Sequence, residues 1–268
     1  MNIAISGGNG FIGRAVQKAA REAGHHAWAF DKAAGDDVRG DLSGLGNADA
    51  VIHLAGILGT AELFDTPELA IDVNVNGTLN VLQWCRTHGA AYVGITMPDA
   101  FPSVYTATKI AAQRLATAWH HTYGVPVSHV RAFNAYGPGQ AHGVGHPQKI
   151  LPTFAVNAWA GVPLPVWGDG TQTVDLVHAD DVGRMLVDAV RFGDDQVFDA
   201  GTGVPVRVND LAHIIMEHTG SQAEINYLPM RAGEKPTQIV AQGEGWDLLD
   251  WHPSLDLDKV LAAVDSYK

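Results

Sequence analysis

The chain has 268 residues, 46% of them hydrophobic and 17% charged, with a net charge of −12 at pH 7. That length and balance fit one or two compact domains rather than a disordered chain. The acidic excess, with no basic cluster to offset it, excludes extended contact with a nucleic-acid backbone, and no apolar run is long enough to span a membrane as a helix.

In chain order, the first 31 residues (MNIAISGGNGFIGRAVQKAAREAGHHAWAFD) carry the densest signal. An apolar run at 2–6 meets Gly7, Gly8, Gly10 and Gly13; a helical pattern at 12–23 follows, then a second apolar run at 27–30 ending in Asp31. Strand, glycine turn, helix, strand and acid form the sequence signature of a dinucleotide site. Glycines let backbone N–H groups approach a pyrophosphate at the helix N-terminus. A carboxylate at Asp31 suits the adenosine ribose hydroxyls and repels a 2′-phosphate, so NAD is expected rather than NADP.

Further strands are predicted at 50–54, 91–96 and 125–131, and helices at 68–87 and 104–123. Alternating strands and helices predict an α/β fold of Rossmann type, a doubly wound parallel sheet with the cofactor along its carboxyl edge. Residues 1–132 form the expected NAD-binding domain. From Phe133 glycine and proline become frequent, and residues 133–173 and 201–268 are expected to form a smaller C-terminal substrate-binding lobe. A helix is predicted at 152–160, apolar runs at 174–178 and 196–199 are expected to return to the sheet, and 208–218 and 257–267 read as helices. No internal repeat is present.

Cys85 is the only cysteine, so no intrachain disulfide and no cysteine-rich metal site can form. The 13 histidines lie scattered or in pairs without metal-ligand spacing, and no metal is expected. The chain opens directly on a strand pattern without a secretory leader, which predicts a cytoplasmic location.

Tyr105 and Lys109 stand four apart on a predicted helix and therefore share a face. A lysine ammonium beside a phenol favours the phenolate, which can take the hydroxyl proton of an alcohol as hydride leaves for NAD. The lysine can also hold the nicotinamide ribose.

With these residues the chain resembles the extended short-chain dehydrogenase/reductases, and among them the NAD-dependent sugar-nucleotide epimerase/dehydratase family, in a UDP-glucose 4-epimerase-like form. The resemblance runs along essentially the whole chain. Its motifs are Gly7-x-x-Gly10-x-x-Gly13, Asp31, Gly40-Asp41-Leu42, His53-Leu54-Ala55-Gly56, Asn74-x-x-Gly77-Thr78, Tyr105-x-x-x-Lys109, Arg131-x-Phe133-Asn134-x-Tyr136-Gly137-Pro138, the segment from Pro165 to Gly170, and Asp175-x-x-His178-x-Asp180-Asp181.

The resemblance implies roles. Gly7, Gly10, Phe11, Ile12 and Gly13 would cradle the cofactor, Asp41 and Leu42 would flank the adenine, and Leu54, Ala55 and Gly56 would pass beneath the pyrophosphate and ribose. Asn74 would support the nicotinamide side, with a helix-capping role as the competing reading. Asn134 would reach the substrate diphosphate, Leu151, Val166 and Trp167 would border the nucleoside, Arg231 would grip the diphosphate, and Glu234 would accept from the nucleotide ribose. Asp180-Asp181 reads as a helix-starting pair. A homodimer through the helices at 68–87 and 104–123 is implied, with Val81, Leu82, Leu115 and Trp119 either at that contact or in the core.

Two departures stand out. Only eight residues separate Thr96 from Tyr105, where the family carries a serine or threonine and then a long loop. Thr96 is the residue expected to hydrogen-bond the reacting oxygen, and the short connection predicts an open sugar pocket or closure by another segment. Val174 stands where the family often has an arginine, leaving Arg231, or Lys149 in its place, to hold a diphosphate.

The expected activity is nucleotide-sugar 4-epimerisation, most simply of a UDP-sugar. The rival is a dehydratase, which needs an added acid and base. The family's 4,6-dehydratases carry Asp-Glu directly after the threonine, whereas Met97-Pro98 follows Thr96 here, leaving Asp99 or Glu62 for a variant elimination. A third reading is a non-catalytic NAD-binding regulatory protein, against which Tyr105, Lys109, Asn74 and Arg231 stand together.

Overall fold

The structure is a computed structural model, and it describes residues 1–143 and 146–268. Its elements are β1 (Asn2–Ser6), α1 (Phe11–Glu22), β2 (His26–Phe30), β3 (Ala50–His53), α2 (Pro67–Ile71), α3 (Gly77–His88), β4 (Ala91–Thr96), α4 (Val104–Tyr123), β5 (Val127–Ala132), β6 (Asn134–Tyr136) and α5 (Ile150–Ala160). They continue as β7 (Leu164–Trp167), β8 (Thr173–Val174), β9 (Leu176–His178), α6 (Ala179–Asp188), β10 (Asp194–Ala200), β11 (Val206–Arg207), α7 (Val208–Thr219), β12 (Ile225–Leu228) and α8 (Leu257–Asp265). No helix of the described residues is long and apolar enough to cross a membrane.

Six strands form one parallel sheet in the order β10-β5-β4-β3-β1-β2. The inner strands read as continuous apolar runs because both sheet faces are covered. Ile3 and Ile5 face a layer built by α1 and α6, while Ala4 faces a layer built by α3 and α4. Small residues bring α1 and α6 together: a Cβ on Gly183 would stand 2.6 Å from the Ala15 carbonyl carbon. The chain moves from β1 outward to β2, then crosses to β3 on the other side of β1, so the carboxyl ends of β1 and β3 open a crevice at the switch point.

Several predicted elements change in the structure. The helix expected at 68–87 is interrupted: α2 ends at Ile71, a π turn covers Asp72–Asn76, and α3 begins at Gly77. The run at 174–178 does not rejoin the main sheet. Its residues divide into β8, paired with β11, and β9, paired with β6. The later run does return, as β10 beside β5.

The C-terminal elements α5, α7, α8 and β7 enclose a separate apolar cluster. Asp175, fully buried, fastens this part to the sheet region. Its carboxylate accepts from the Thr202 N–H and hydroxyl (2.7 Å each) and from the Gly203 and Ala241 N–H groups (2.9 Å each). Four donors satisfy a charge that has no access to water.

Val81 and Leu82 are core residues with no exposed surface, so they take no part in a contact between subunits. Leu115 and Trp119 are partly buried against the same layer.

Candidate active site

One large cleft, about 880 Å³, runs from the glycine turn to the C-terminal region. At its first end the turn is drawn tight. The Gly7 N–H donates to the Phe30 carbonyl (2.9 Å), Gly8 N–H to Ile5 (3.1 Å) and Gly10 N–H to Gly7 (3.1 Å). Gly7 has φ 73°, and a Cβ there would stand 2.8 Å from the Ala55 nitrogen; one on Gly13 would stand 2.4 Å from the Gly7 oxygen. Only glycine allows that approach. No side chain caps α1 at Gly10, so its first N–H groups have no capping partner, next to Phe11 and Ile12 in the cleft lining.

Asp31 directly follows β2 at the rim of this turn. One carboxylate oxygen accepts from Asn9 N–H and the other from Ala33 N–H, both at 2.9 Å. The acid therefore fixes the glycine turn as well as facing the cleft, and its remaining lone pairs suit ribose hydroxyls.

Asp41 and Leu42 do not reach the cleft. Asp41 instead accepts from the N–H and hydroxyl of Ser43 (2.9 and 2.7 Å), which also lowers its pKa, and Leu42 is packed in the core. Asp37 and Val38 line the cleft in their place. They repeat the acid–aliphatic pattern four residues earlier, and that pattern was the available signal. Leu54, Ala55 and Gly56 line the cleft.

Tyr105 and Lys109 both line the cleft from the first turns of α4. Ser103 caps that helix, accepting from Thr106 N–H at 3.2 Å. The two groups are desolvated in opposite senses: burial pushes the Tyr105 phenol up to about 12 and the Lys109 ammonium down to about 8. The expected lowering of the phenol by the lysine is absent from the cleft as it stands, because burial of the phenol is the dominant influence.

Thr96, at the end of β4, also lines the cleft. Its hydroxyl donates to Gln113 Oε1 on α4 at 3.0 Å, so toward a ligand it presents an acceptor rather than a donor. Nothing in the sequence marks out Gln113, whose spacing from Lys109 merely continues the helix.

Asn74 lies in the π turn, not at a helix cap, and is only 2% exposed. It does not line the cleft. Its Oδ1 accepts from Ile57 N–H at 2.8 Å, and its Nδ2 donates to the Ile57 carbonyl and to Thr108 Oγ1, both at 3.0 Å.

At the far end Asn134, Leu151, Val166 and Trp167 line the cleft together with Arg231 and Glu234. Arg231 makes a two-pronged pair with Glu234 (2.8 and 2.6 Å) and lies 4.7 Å from the Trp167 ring centroid. Glu234 is thus held by the arginine, with one lone pair of each oxygen taken up by the pair. Lys149 lines the same cleft; burial lowers its pKa first, while Glu62 raises it and Arg231 lowers it further. Lys149 and Arg231 therefore lie within electrostatic reach of each other. Val174 is buried in its pairing with Val206.

Residues 230–235 pack against the end of the short connection after Thr96: a Cβ on Gly233 would lie 3.6 Å from the Pro102 oxygen and the Ser103 Cβ, and one on Gly168 would lie 2.8 Å from the Met230 sulfur. From the connection, Met97, Pro98, Ala100 and Phe101 line the cleft, whereas Asp99 is exposed and borders a separate crevice. Among the described residues no cluster of histidine, cysteine, aspartate or glutamate is arranged to hold a metal.

Residues 3–201 match the model of the NAD dependent epimerase/dehydratase family. The chain is similar to a UDP-glucuronate 4-epimerase of Thermodesulfobacterium geofontis, 28% identical over 79% of this chain and 70% of the relative. It is similar to a dTDP-glucose 4,6-dehydratase of Streptomyces antibioticus, 26% identical over 86% of this chain and 76% of the relative. Its fold is that of a UDP-glucose 4-epimerase from Thermotoga maritima solved with UDP-glucose, with a TM-score of 0.90 and 24% identity over 100% of this chain and 98% of that one. The glycine-rich cleft, the tyrosine–lysine helix and a family match across most of the sequence lead to one conclusion: the chain belongs to the NAD-dependent epimerase/dehydratase family.

Proposed function

We propose that this chain is an NAD-dependent nucleotide-sugar 4-epimerase acting on UDP-sugars as a homodimer. The observation that carries the reading is the make-up of the cleft beside Tyr105. The segment after Thr96 contributes only apolar side chains, and its one acid, Asp99, is turned to a separate crevice. Oxidation and reduction at one carbon need a single proton-transfer group, and elimination of water needs more.

The glycine cradle, the uncapped helix start and Asp31 fit the pyrophosphate and adenosine ribose of NAD. When bound, NAD supplies the reversible hydride acceptor for the sugar C4. Tyr105 removes the proton from the C4 hydroxyl and returns it after the keto sugar has turned over. Its phenol, pushed up to about 12 by burial, needs neighbouring positive charge to give up its proton near neutral pH. Lys109 supplies part of that charge and holds the nicotinamide ribose. Thr96, whose own hydrogen goes to Gln113, accepts from a sugar hydroxyl beside the reacting one, since the single C4 hydroxyl proton goes to Tyr105. Arg231 and Lys149 share the diphosphate, which offsets the missing arginine at Val174, and Asn134 adds a polar contact. Leu151, Val166 and Trp167 enclose the base. Relatives named as UDP-glucuronate and UDP-glucose 4-epimerases support the choice of UDP.

A dehydratase is the second reading, favoured by one observation: Glu62 lines the cleft and acts electrostatically on Lys149, so an acid is within the site. Incubation of the purified protein with UDP-, GDP- and dTDP-sugars, followed by NMR, separates the two. Inversion at C4 without loss of water is expected; a deoxy product overturns the proposal.

A further inference from the structure

Beneath the cleft two runs of buried hydrogen bonds meet at Asn74, one on its backbone carbonyl and one on its side-chain amide. The Ala55 N–H donates to Ser6 Oγ at 3.3 Å, Ser6 Oγ lies 2.6 Å from His53 Nδ1, and His53 Nε2 lies 3.0 Å from Thr78 Oγ1. Thr78 donates to the Asn74 carbonyl at 2.7 Å. From Asn74 the amide reaches Thr108 at 3.0 Å, and Thr108 donates to the Tyr105 carbonyl at 2.9 Å.

The first of these runs has one direction. A hydroxyl has a single hydrogen to give, and Thr78 gives its own to Asn74. His53 Nε2 therefore donates to Thr78, and Nδ1 accepts from Ser6, an assignment that follows from the network. Ser6, His53, Asn74 and Thr78 are each at most 2% exposed, so water cannot stand in for a missing partner. Burial, followed by the charge of Lys109, pushes the imidazole down to about 3. The ring is thus neutral throughout the working range and within electrostatic reach of the lysine.

Ser6 directly precedes Gly7, and Asn74 lies in the π turn that holds Ile57 against α4. We infer that His53 is a positioning residue: through Ser6 and Thr78 it locks the strand end beneath the glycine cradle to the turn that fixes the Tyr105–Lys109 helix. The inference rests on the proposed reading of that cradle and helix as the two sides of an NAD site.

NAD affinity measured by calorimetry in a double-mutant cycle tests it. Thr78→Val removes the hydroxyl at nearly constant volume, leaves both the His53 N–H and the Asn74 carbonyl without that partner, and is expected to weaken NAD about ten-fold. Thr78→Ser restores the hydroxyl and the affinity. Lys109→Met weakens NAD in the unaltered protein, and much less in the Thr78→Val background, because the lysine is already misplaced. Ser6→Ala breaks the same run at its other end, acts in the same direction, and takes the place of Thr78→Val if that variant does not fold. Equal Lys109→Met factors in both backgrounds overturn the inference alone. Absence of NAD binding by the unaltered protein overturns the cofactor reading and the inference with it.

Discussion

At pH 7 the Lys109 side chain is an ammonium in a site where burial pushes its pKa down to about 8 from an ordinary 10.5. Between those values the unfolded chain holds a proton that the folded chain has released, so the native state gains stability as pH rises through that window. Lys109→Met removes the desolvated charge and keeps the bulk. It is expected to stabilise the protein by roughly 2–3 kcal/mol at pH 7, with the gain shrinking to near zero by about pH 10.5. Denaturant unfolding at the two pH values checks this; an equal effect at both contradicts it. Tyr105→Phe is expected to reduce turnover by about a thousand-fold or more while leaving NAD binding within a few-fold, since only the proton-transfer group is lost. Near-normal turnover by this variant removes Tyr105 from the chemistry.

These two residues were legible because a helix at 104–123 aligns positions four apart, and α4 spans those bounds. The pairing of Arg231 with Glu234 was not: both were assigned to the ligand, and nothing in sequence spacing shows that they satisfy each other first. Asp41 was misplaced for a similar reason. Two acid–aliphatic pairs occur within six residues, and local capping of Ser43 takes up the second.

Among the elements, the stretch from α2 to α3 holds the part that periodicity could not show. A π turn alters the residue spacing by one at Asp72–Asn76 and leaves the apolar pattern nearly unchanged, so 68–87 read as one helix. Such turns occur frequently at functional positions, and here it carries Asn74. The close approach that seats it occurs at Gly77, where a Cβ would stand 2.6 Å from Val38 Cγ2. Gly77→Ala is therefore expected to destabilise by about 1–2 kcal/mol despite its better helix propensity, because the methyl overpacks a buried contact. A rise in melting temperature contradicts that packing account. The strand predictions held to within one or two residues wherever both sheet faces are covered. The run at 174–178 failed, because two short pairings away from the main sheet share its apolar composition.

For the whole molecule, the cleft exists because the C-terminal part is fastened over the carboxyl edge of the sheet. The four donors to Asp175 join the strand β9 region to segments at 202–203 and 241. Asp175→Asn keeps the shape and places an NH₂ where two N–H groups already point, which leaves buried donors unmatched. A loss of about 2–4 kcal/mol is expected, with faster hydrogen exchange concentrated at 201–207 and 240–244; exchange unchanged there contradicts the fastening role. The parallel, doubly wound sheet was legible in the sequence from the alternation of strands and helices, but its strand order was not. Nor was the packing of residues 230–235 against the short link between Thr96 and Tyr105, because it joins segments far apart in the chain.

In the proposed 4-epimerisation, hydride leaves and re-enters the same sugar carbon under the control of Tyr105. A UDP-hexose carrying deuterium at C4, turned over in ordinary water and followed by NMR, tests that claim most directly. The account predicts a C4-inverted product with the deuterium still at C4; deuterium at C6 of a dehydrated sugar, or its loss to solvent, contradicts it.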